Sequence, residues 1–117
     1  MAASRQLAGK RLVVIEDETV IKIVLEETLR SAGAIVMSSF DQKLDGAVLD
    51  VNLGHGIDVL PIANRLRERN VPFVFYTGQS EASLAPIREA FPNATFISKP
   101  AETRRIVATI ADLWQAK

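Results

Sequence analysis

The sequence contains no cysteine, which excludes disulfide bonds and thiolate metal sites. No apolar run approaches the roughly 18–20 residues needed to span a bilayer, and Met1–Lys10 lacks the apolar stretch of a signal peptide. Neither sign of charge is in excess, because 14 basic side chains balance 14 acidic ones. This balance argues against a nucleic-acid partner, which normally selects a basic protein. We therefore expect a cytoplasmic protein with no membrane partner.

The 117 residues have the composition of one ordinary globular domain. No linker rich in Gly, Ser or Pro divides them, so residues 1–117 are expected to form a single domain with no output domain. Short apolar runs alternate with amphipathic segments, and several runs are continuously apolar, like parallel strands covered on both faces. The candidate strands are Arg11–Ile15, Ile35–Ser38, Ala47–Leu49, Phe73–Tyr76 and Thr95–Ile97. Their alternation with helices predicts an α/β fold.

Three segments carry apolar residues at helical spacing. The stripes are Ile21-Leu25-Leu29-Ala32, Leu60-Ala63-Leu66 and Ile106-Ile110-Leu113. Gly33 is placed to end the first helix, and Asp58 is placed to cap the second. A fourth segment, Ser80–Phe91, has Pro86 in its middle and predicts a short helix that begins near Ala85.

Four of the five candidate strands end on residues that can handle phosphate or a metal ion. These residues are, in chain order, Glu16-Asp17-Glu18, Asp50, Thr77 and Lys99. Ligands of an open parallel sheet bind beyond the carboxyl ends of the strands, near the point where strand order reverses. If the first, third, fourth and fifth strands are neighbours, these side chains meet in one pocket.

The residue types of this pocket suit the transfer of a phosphoryl group. Clustered carboxylates repel one another unless a cation neutralises them, and Mg²⁺ prefers one or two carboxylates together with water and phosphate oxygens. Asp50 can then act as a nucleophile towards phosphorus and form an aspartyl phosphate. Lys99 would stabilise the phosphoryl charge, and Thr77 would donate a hydrogen bond to a phosphoryl oxygen. Each residue alone could instead be a turn former or a helix-start acid, but their joint occurrence favours a site.

The order and spacing of these motifs resemble the response-regulator receiver domains of two-component signalling. The resemblance covers nearly the whole chain and lies in Leu12-Val13-Val14-Ile15-Glu16-Asp17-Glu18, Val48-Leu49-Asp50-Val51-Asn52-Leu53, Tyr76-Thr77-Gly78 and Lys99-Pro100. It implies a flavodoxin-like, doubly wound, five-stranded parallel sheet in the order 2-1-3-4-5. Phe75-Tyr76-Thr77-Gly78 is also similar to the Phe-x-Thr-Gly signature of a single-domain subgroup, although Gln79 and Ala101 stand where tyrosine and phenylalanine are common.

The resemblance implies that Asp50 is the phosphoacceptor and that Thr77 and Lys99 contact the phosphoryl group. It implies a cis peptide bond between Lys99 and Pro100. It also implies that Phe96 is a switch residue, whose ring moves as the threonine hydroxyl turns towards the phosphate. The signal would then leave through the face around Phe96 and the last helix.

The resemblance further implies a Mg²⁺ cofactor and a phosphorylated protein partner. Asp17 would bind the metal directly, Glu16 often through water, Asp50 through its carboxylate, and Asn52 through its backbone carbonyl. The donor would be a phosphohistidine on a sensor histidine kinase or on a histidine phosphotransfer protein. The chain would catalyse its own phosphorylation and would not be an enzyme in the ordinary sense, and the downstream protein partner is not identified by the sequence.

One segment departs from the receiver pattern. Receivers have a helix between their second and third strands, whereas here only Ser39–Asp45 is available. A crossover between parallel strands normally takes about a dozen residues or more. The second helix is therefore shortened or missing, or the second strand is displaced or exchanged between subunits, or the sequence omits residues. These alternatives stay open, as does the formation of a homodimer.

Two further functions compete with the phosphoacceptor. A degenerate receiver would bind partners without being phosphorylated. A haloacid-dehalogenase-like phosphatase would also use a strand-end aspartate with Mg²⁺, but it would want an acidic residue where Asn52 stands. His55, the only histidine, lies in a loop between two glycines and is assigned no catalytic role.

Overall fold

Five strands and four α-helices are formed by residues 5–39, 42–54 and 56–115, which are the residues described by this computed structural model. The elements are β1 (Arg11–Ile15), α1 (Thr19–Ser31), β2 (Ile35–Met37), β3 (Gly46–Asp50), α2 (Val59–Glu68), β4 (Phe73–Thr77), α3 (Glu81–Ala90), β5 (Thr95–Ser98), α4 (Thr103–Ala111) and the short 3₁₀ helix η1 (Asp112–Trp114). None of the helices in these ranges is long and apolar enough to cross a membrane.

The strands form one parallel sheet in the order β2-β1-β3-β4-β5. This is the order expected from the sequence, and the predicted strand positions agree with the observed ones to within one residue at each end. The order reverses at β1, because the chain moves from there to one edge and then returns to build the other side. The carboxyl ends of β1 and β3 therefore flank the crevice in which sheets of this kind bind ligands.

Apolar side chains cover both faces of the sheet, so the core has two layers. On one face α1 and α4 pack against alternate strand residues that include Leu12, Val48 and Ile97, together with Leu7 from the segment before β1. On the other face α2 and α3 pack against residues that include Leu49 and Phe75. Burial on both faces explains why the strands read as continuously apolar runs.

The signals at two helix ends act as the sequence predicts. Gly33 follows the last residues of α1 with a φ of +99°, a left-handed conformation that favours glycine. Asp58 precedes α2, and its side chain accepts a hydrogen bond of 3.0 Å from the Leu60 N–H.

The prediction for α3 is wrong in its starting point, because the helix begins at Glu81 and not near Ala85. The side chain of Ser80 caps it by accepting a hydrogen bond from the Ser83 N–H. Pro86 lies inside the helix on an exposed position, while Leu84 and Ile87 are buried in the core. The burial of these two side chains and the serine cap outweigh the hydrogen bond that proline cannot donate.

The crossover between β2 and β3 contains no helix in the residues that are described there, 38–39 and 42–45. The second helix is missing from these residues, which was one of the predicted alternatives. Phe40 and Asp41 lie outside the described residues. The second strand is not displaced, since β2 pairs in parallel with β1 from Arg11↔Ile35 onwards.

Hydrogen bonds to Asp45 fix the end of this short crossover. Its carboxylate Oδ2 accepts a bond of 2.8 Å from the Arg11 N–H, and its own N–H donates to the Arg11 carbonyl over 2.7 Å. The indole Nε1–H of Trp114 donates to the Asp45 carbonyl over 2.9 Å. Leu44 is buried beside them. These contacts fix the position of the chain just before β3, where the described residues of the crossover form no helix.

Candidate functional site

The carboxyl ends of four strands bring the predicted residues to one edge of the sheet. Asp50 is the last residue of β3 and Thr77 the last of β4, while Glu16 follows β1 and Lys99 follows β5. Over the whole residue, Asp50 and Thr77 are the two buried polar residues in the described part of the chain, with 6% and 2% of their surfaces exposed. Burying a carboxylate is costly unless charged or polar groups compensate it. Its position therefore points to a use other than stability.

Lys99 lies between two carboxylates. Its Nζ is 2.9 Å from Glu16 Oε1 and 3.4 Å from Asp50 Oδ1. The side chains of Glu16 and Asp50 are only 2% and 7% exposed, so the three charges interact with little screening by water. The peptide bond between Lys99 and Pro100 is cis, as predicted.

The pKa values of these groups follow from burial and mutual contact. Burial and the neighbouring Glu16 raise the pKa of Asp50 to about 6, although the Asn52 N–H and Lys99 act in the opposite direction. Burial opposes ionisation of Glu16 too, but hydrogen bonds from its neighbours, with Lys99 among them, outweigh it and lower the pKa of Glu16. For Lys99, burial is outweighed by the two carboxylates, which raise its pKa. One ammonium thus cannot fully neutralise two buried carboxylates.

Two backbone N–H groups donate hydrogen bonds that orient the side chains of Asp50 and Thr77. The Asn52 N–H donates to Asp50 Oδ1 over 3.1 Å, and the Gln79 N–H donates to Thr77 Oγ1 over 3.0 Å. Each bond joins a strand-end side chain to the loop that leaves its strand. The Thr77 hydroxyl accepts in its bond, so its proton is free to be donated to another oxygen.

A cavity of about 220 Å³ opens beside Asp50 and is lined by Glu16, Asp17, Glu18, Asp50, Asn52 and Gly54. Gly54 comes so close to Asp17 that a Cβ at this glycine would lie 2.9 Å from Asp17 Oδ2, and its φ of +72° is in the left-handed region. Sequence reasoning missed Gly54. Its only signal was a glycine two residues after Asn52, which any turn would also explain.

The residues around this cavity fit a Mg²⁺ ion. The described residues contain no group of three or more His, Cys, Asp or Glu side chains that could hold a metal by themselves. Mg²⁺ does not need one, because it typically takes one or two carboxylates and keeps several waters. Asp17 and Asp50 line the cavity with Asn52, and the raised pKa of Asp50 marks a carboxylate that lacks sufficient positive charge. Glu16, by contrast, is engaged by Lys99.

Phe96 lies in β5 on the same sheet face as Thr77. Phe96 pairs with Phe75 of β4, and Phe75 lies two residues before Thr77, so the three side chains are on one face of the sheet. The Phe96 ring stacks on Phe75 with centroids 5.0 Å apart. Arg88 of α3 also lies over this ring, with its guanidinium carbon 4.1 Å from the centroid. No local signal could have predicted the Arg88 contact, because it joins α3 to β5 across the fold. His55 lies outside the described residues.

Solved structures of receiver domains have the same fold. A response regulator receiver protein from Sinorhizobium medicae matches with a TM-score of 0.75 and 22% identity, over 90% of this chain and 94% of that one. The receiver domain of a sensor histidine kinase from Pseudomonas aeruginosa, which is described with a magnesium ion in its active site cleft, matches with a TM-score of 0.75 and 23% identity, over 92% and 98%.

The non-phosphorylated HemR receiver domain from Leptospira biflexa matches with a TM-score of 0.71 and 22% identity, over 92% of this chain and 97% of that one. No family model and no curated protein sequence matches the chain. The chain therefore has the receiver fold, and the expected flavodoxin-like sheet is confirmed. The subgroup with the Phe-x-Thr-Gly signature stays a prediction.

Proposed function

We propose that the chain is a phosphoacceptor receiver that takes a phosphoryl group from a phosphohistidine onto Asp50. One observation carries this proposal: Asp50 is a buried carboxylate with a raised pKa, and it faces a cavity between a lysine and further acids at the switch point of the sheet. A carboxylate oxygen of Asp50 forms the new bond to phosphorus. The bond between phosphorus and the imidazole nitrogen breaks, and the nitrogen keeps the electron pair.

The neighbouring residues have separate tasks in this proposal. The Nζ of Lys99 is 3.4 Å from Asp50 Oδ1 and would contact the phosphoryl group on Asp50, where it would stabilise the negative charge. Thr77 would donate its hydroxyl proton to a phosphoryl oxygen. Asp17, Asp50 and the carbonyl of Asn52 would hold Mg²⁺, which neutralises charge on the phosphoryl oxygens when it is bound.

The phosphodonor is a protein, namely a sensor histidine kinase or a histidine phosphotransfer protein in the cytoplasm. The first turns of α1, which start directly after Glu18 at the site, expose Val20, Ile23 and Val24 by 71%, 54% and 59%. Large apolar side chains exposed beside a polar site are typical of a surface that another protein covers. The receiver domain of the Pseudomonas aeruginosa structure comes from a sensor histidine kinase, which agrees with such a donor.

Reaction with small phosphate compounds separates the three candidate functions. With acetyl phosphate and Mg²⁺, a phosphoacceptor accumulates one labile phosphoryl group per chain and loses it slowly. A degenerate receiver stays unlabelled under the same conditions. A phosphatase hydrolyses p-nitrophenyl phosphate over many turnovers. We expect labelling that EDTA abolishes and no sustained turnover; turnover without accumulation would contradict the proposal.

A further inference from the structure

The side chain of Lys99 has to cross a neighbouring strand to reach the site. Its backbone N–H donates to the Thr77 carbonyl over 2.8 Å, which fixes the main chain of the lysine beside the end of β4. Asp50 ends β3, which is two strands away from β5 and therefore roughly 10 Å distant in the sheet. The lysine stem is long and flexible, so it must be held in one conformation to act at that distance.

The ring of Tyr76 lies along this path. Tyr76 pairs with Asp50 in the register of β3 and β4 and with Ile97 in the register of β4 and β5, so it stands between the phosphoacceptor strand and the lysine strand. The Nζ of Lys99 is 5.2 Å from the centroid of the Tyr76 ring, within the roughly 6 Å over which a cation is attracted to an aromatic face. The tyrosine is buried in the core between the sheet and helices α1 and α4, so packing fixes the position of its ring.

An aromatic ring can hold this ammonium without disturbing the chemistry beside it. The face of the ring attracts the positive charge, yet it adds no negative charge to a site that already contains two buried carboxylates. It is also a much weaker hydrogen-bond acceptor than an oxygen. The three N–H donors of Lys99 therefore stay available to Glu16 and Asp50, and to the phosphoryl oxygens in the proposed reaction.

We propose that Tyr76 is a positioning residue for phosphoryl transfer, whose ring holds the Lys99 ammonium beside Asp50. The inference rests on the proposed function and adds to it a residue that none of the candidate site residues includes. Tyr76 acts through Lys99 and not on the phosphoryl group itself. The face of its ring carries the effect and its hydroxyl does not, so phenylalanine can replace it and an aliphatic side chain cannot.

The rate constant for phosphorylation of Asp50 by phosphoramidate, at saturating Mg²⁺, tests this role. Tyr76→Phe keeps the ring and should react within about two-fold of the wild type, whereas Tyr76→Leu should react about three- to ten-fold more slowly, because it loses the attraction of the ring for the ammonium. Phe73→Leu is the matched control. It removes a ring from the first position of the same strand, at the end remote from the site, and should leave the rate constant unchanged.

Fluorination separates the charge distribution of the ring from its shape, and it keeps the test valid if Tyr76→Leu does not fold. Phenylalanines with one, two or three fluorines, incorporated in place of Tyr76, keep nearly the same shape but have a progressively less negative face. The rate constant should therefore fall stepwise with each fluorine, which a purely structural role of the ring would not produce.

Proton NMR detects the contact itself. The methylene protons next to Nζ of Lys99 should show a ring-current shift in the wild type and in Tyr76→Phe, and this shift should disappear in Tyr76→Leu. A wild type without the shift, or equal rate constants in the wild type, Tyr76→Leu and the fluorinated series, would contradict the positioning role alone. A wild type that takes up no phosphoryl group would contradict the proposed function, and the positioning role with it.

Discussion

Asp50 combines burial with a negative charge, and this conflict has a measurable effect on stability. Its pKa is about 6 in the folded protein, against an ordinary value of 3.8. The folded state therefore binds more protons than the unfolded state between these two values. The proton on Asp50 therefore stabilises the folded state. This stabilisation is fully present below pH 3.8 and is lost as the pH rises through about 6.

We expect Asp50→Asn to remove this loss. In EDTA, wild-type stability should fall on the order of 2–3 kcal/mol as the pH rises through this window, whereas the variant should keep its stability there. Glu16, whose pKa is lowered, contributes in the opposite sense below its ordinary value of 4.5. Urea unfolding at a series of pH values measures both profiles. If the free energies of unfolding of the two proteins changed with pH in parallel, ionisation of Asp50 would not destabilise the folded state.

Gly54 tests whether Asp17 binds the metal. A Cβ at Gly54 would lie 2.9 Å from Asp17 Oδ2, so Gly54→Ala should displace this carboxylate and lower Mg²⁺ affinity several-fold. Gly56→Ala is the matched control, because Gly56 has nearly the same positive φ but nothing within 4 Å of its Cβ position. Both variants carry the same backbone strain, of about 1 kcal/mol. Calorimetric titration with MgCl₂ that finds equal affinities in the two variants would place the metal away from Asp17.

Among the helices and strands, the sequence predicts what depends on local pattern and misses what depends on tertiary packing. Asp58 and Gly33 act at helix ends as expected, because capping involves only neighbouring residues. The start of α3 was misplaced, because proline is a strong local signal while the burial of Leu84 and Ile87 is a tertiary effect. Leu7 was missed as a core residue for the same reason, since a single leucine before the first strand shows no periodicity.

The short crossover before β3 depends on Trp114 at the other end of the chain. Trp114→Phe keeps an aromatic ring but loses the bond of 2.9 Å to the Asp45 carbonyl. We expect a destabilisation of about 1 kcal/mol with unchanged Mg²⁺ affinity, because the crossover end is remote from the carboxyl ends of the strands. Lys10→Met removes only the cation above the indole, 4.7 Å from the ring centroid, and should cost less. A loss of Mg²⁺ affinity in Trp114→Phe would show that the crossover supports the site.

For the molecule as a whole, the resemblance to receiver domains implied the sheet order. Given that order, the meeting of Asp50, Thr77 and Lys99 at one edge could be predicted, because strand-end residues converge in a parallel sheet of this topology. The pairing of Lys99 with Glu16, and not mainly with Asp50, could not be predicted, since it depends on distances of 2.9 and 3.4 Å. The output face around Phe96 and the last helix stays a prediction. Its one new structural support is that Phe96 and Thr77 share a sheet face.

Phosphorylation of Asp50 tests the central claim most directly. Wild type, Asp50→Asn and Asp17→Asn are incubated with phosphoramidate and Mg²⁺ and examined by intact mass. The account predicts that the wild type gains the mass of one phosphoryl group, that Asp17→Asn gains it more slowly, and that Asp50→Asn gains none. Equal labelling of wild type and Asp50→Asn, or no labelling of wild type at saturating donor, would contradict it.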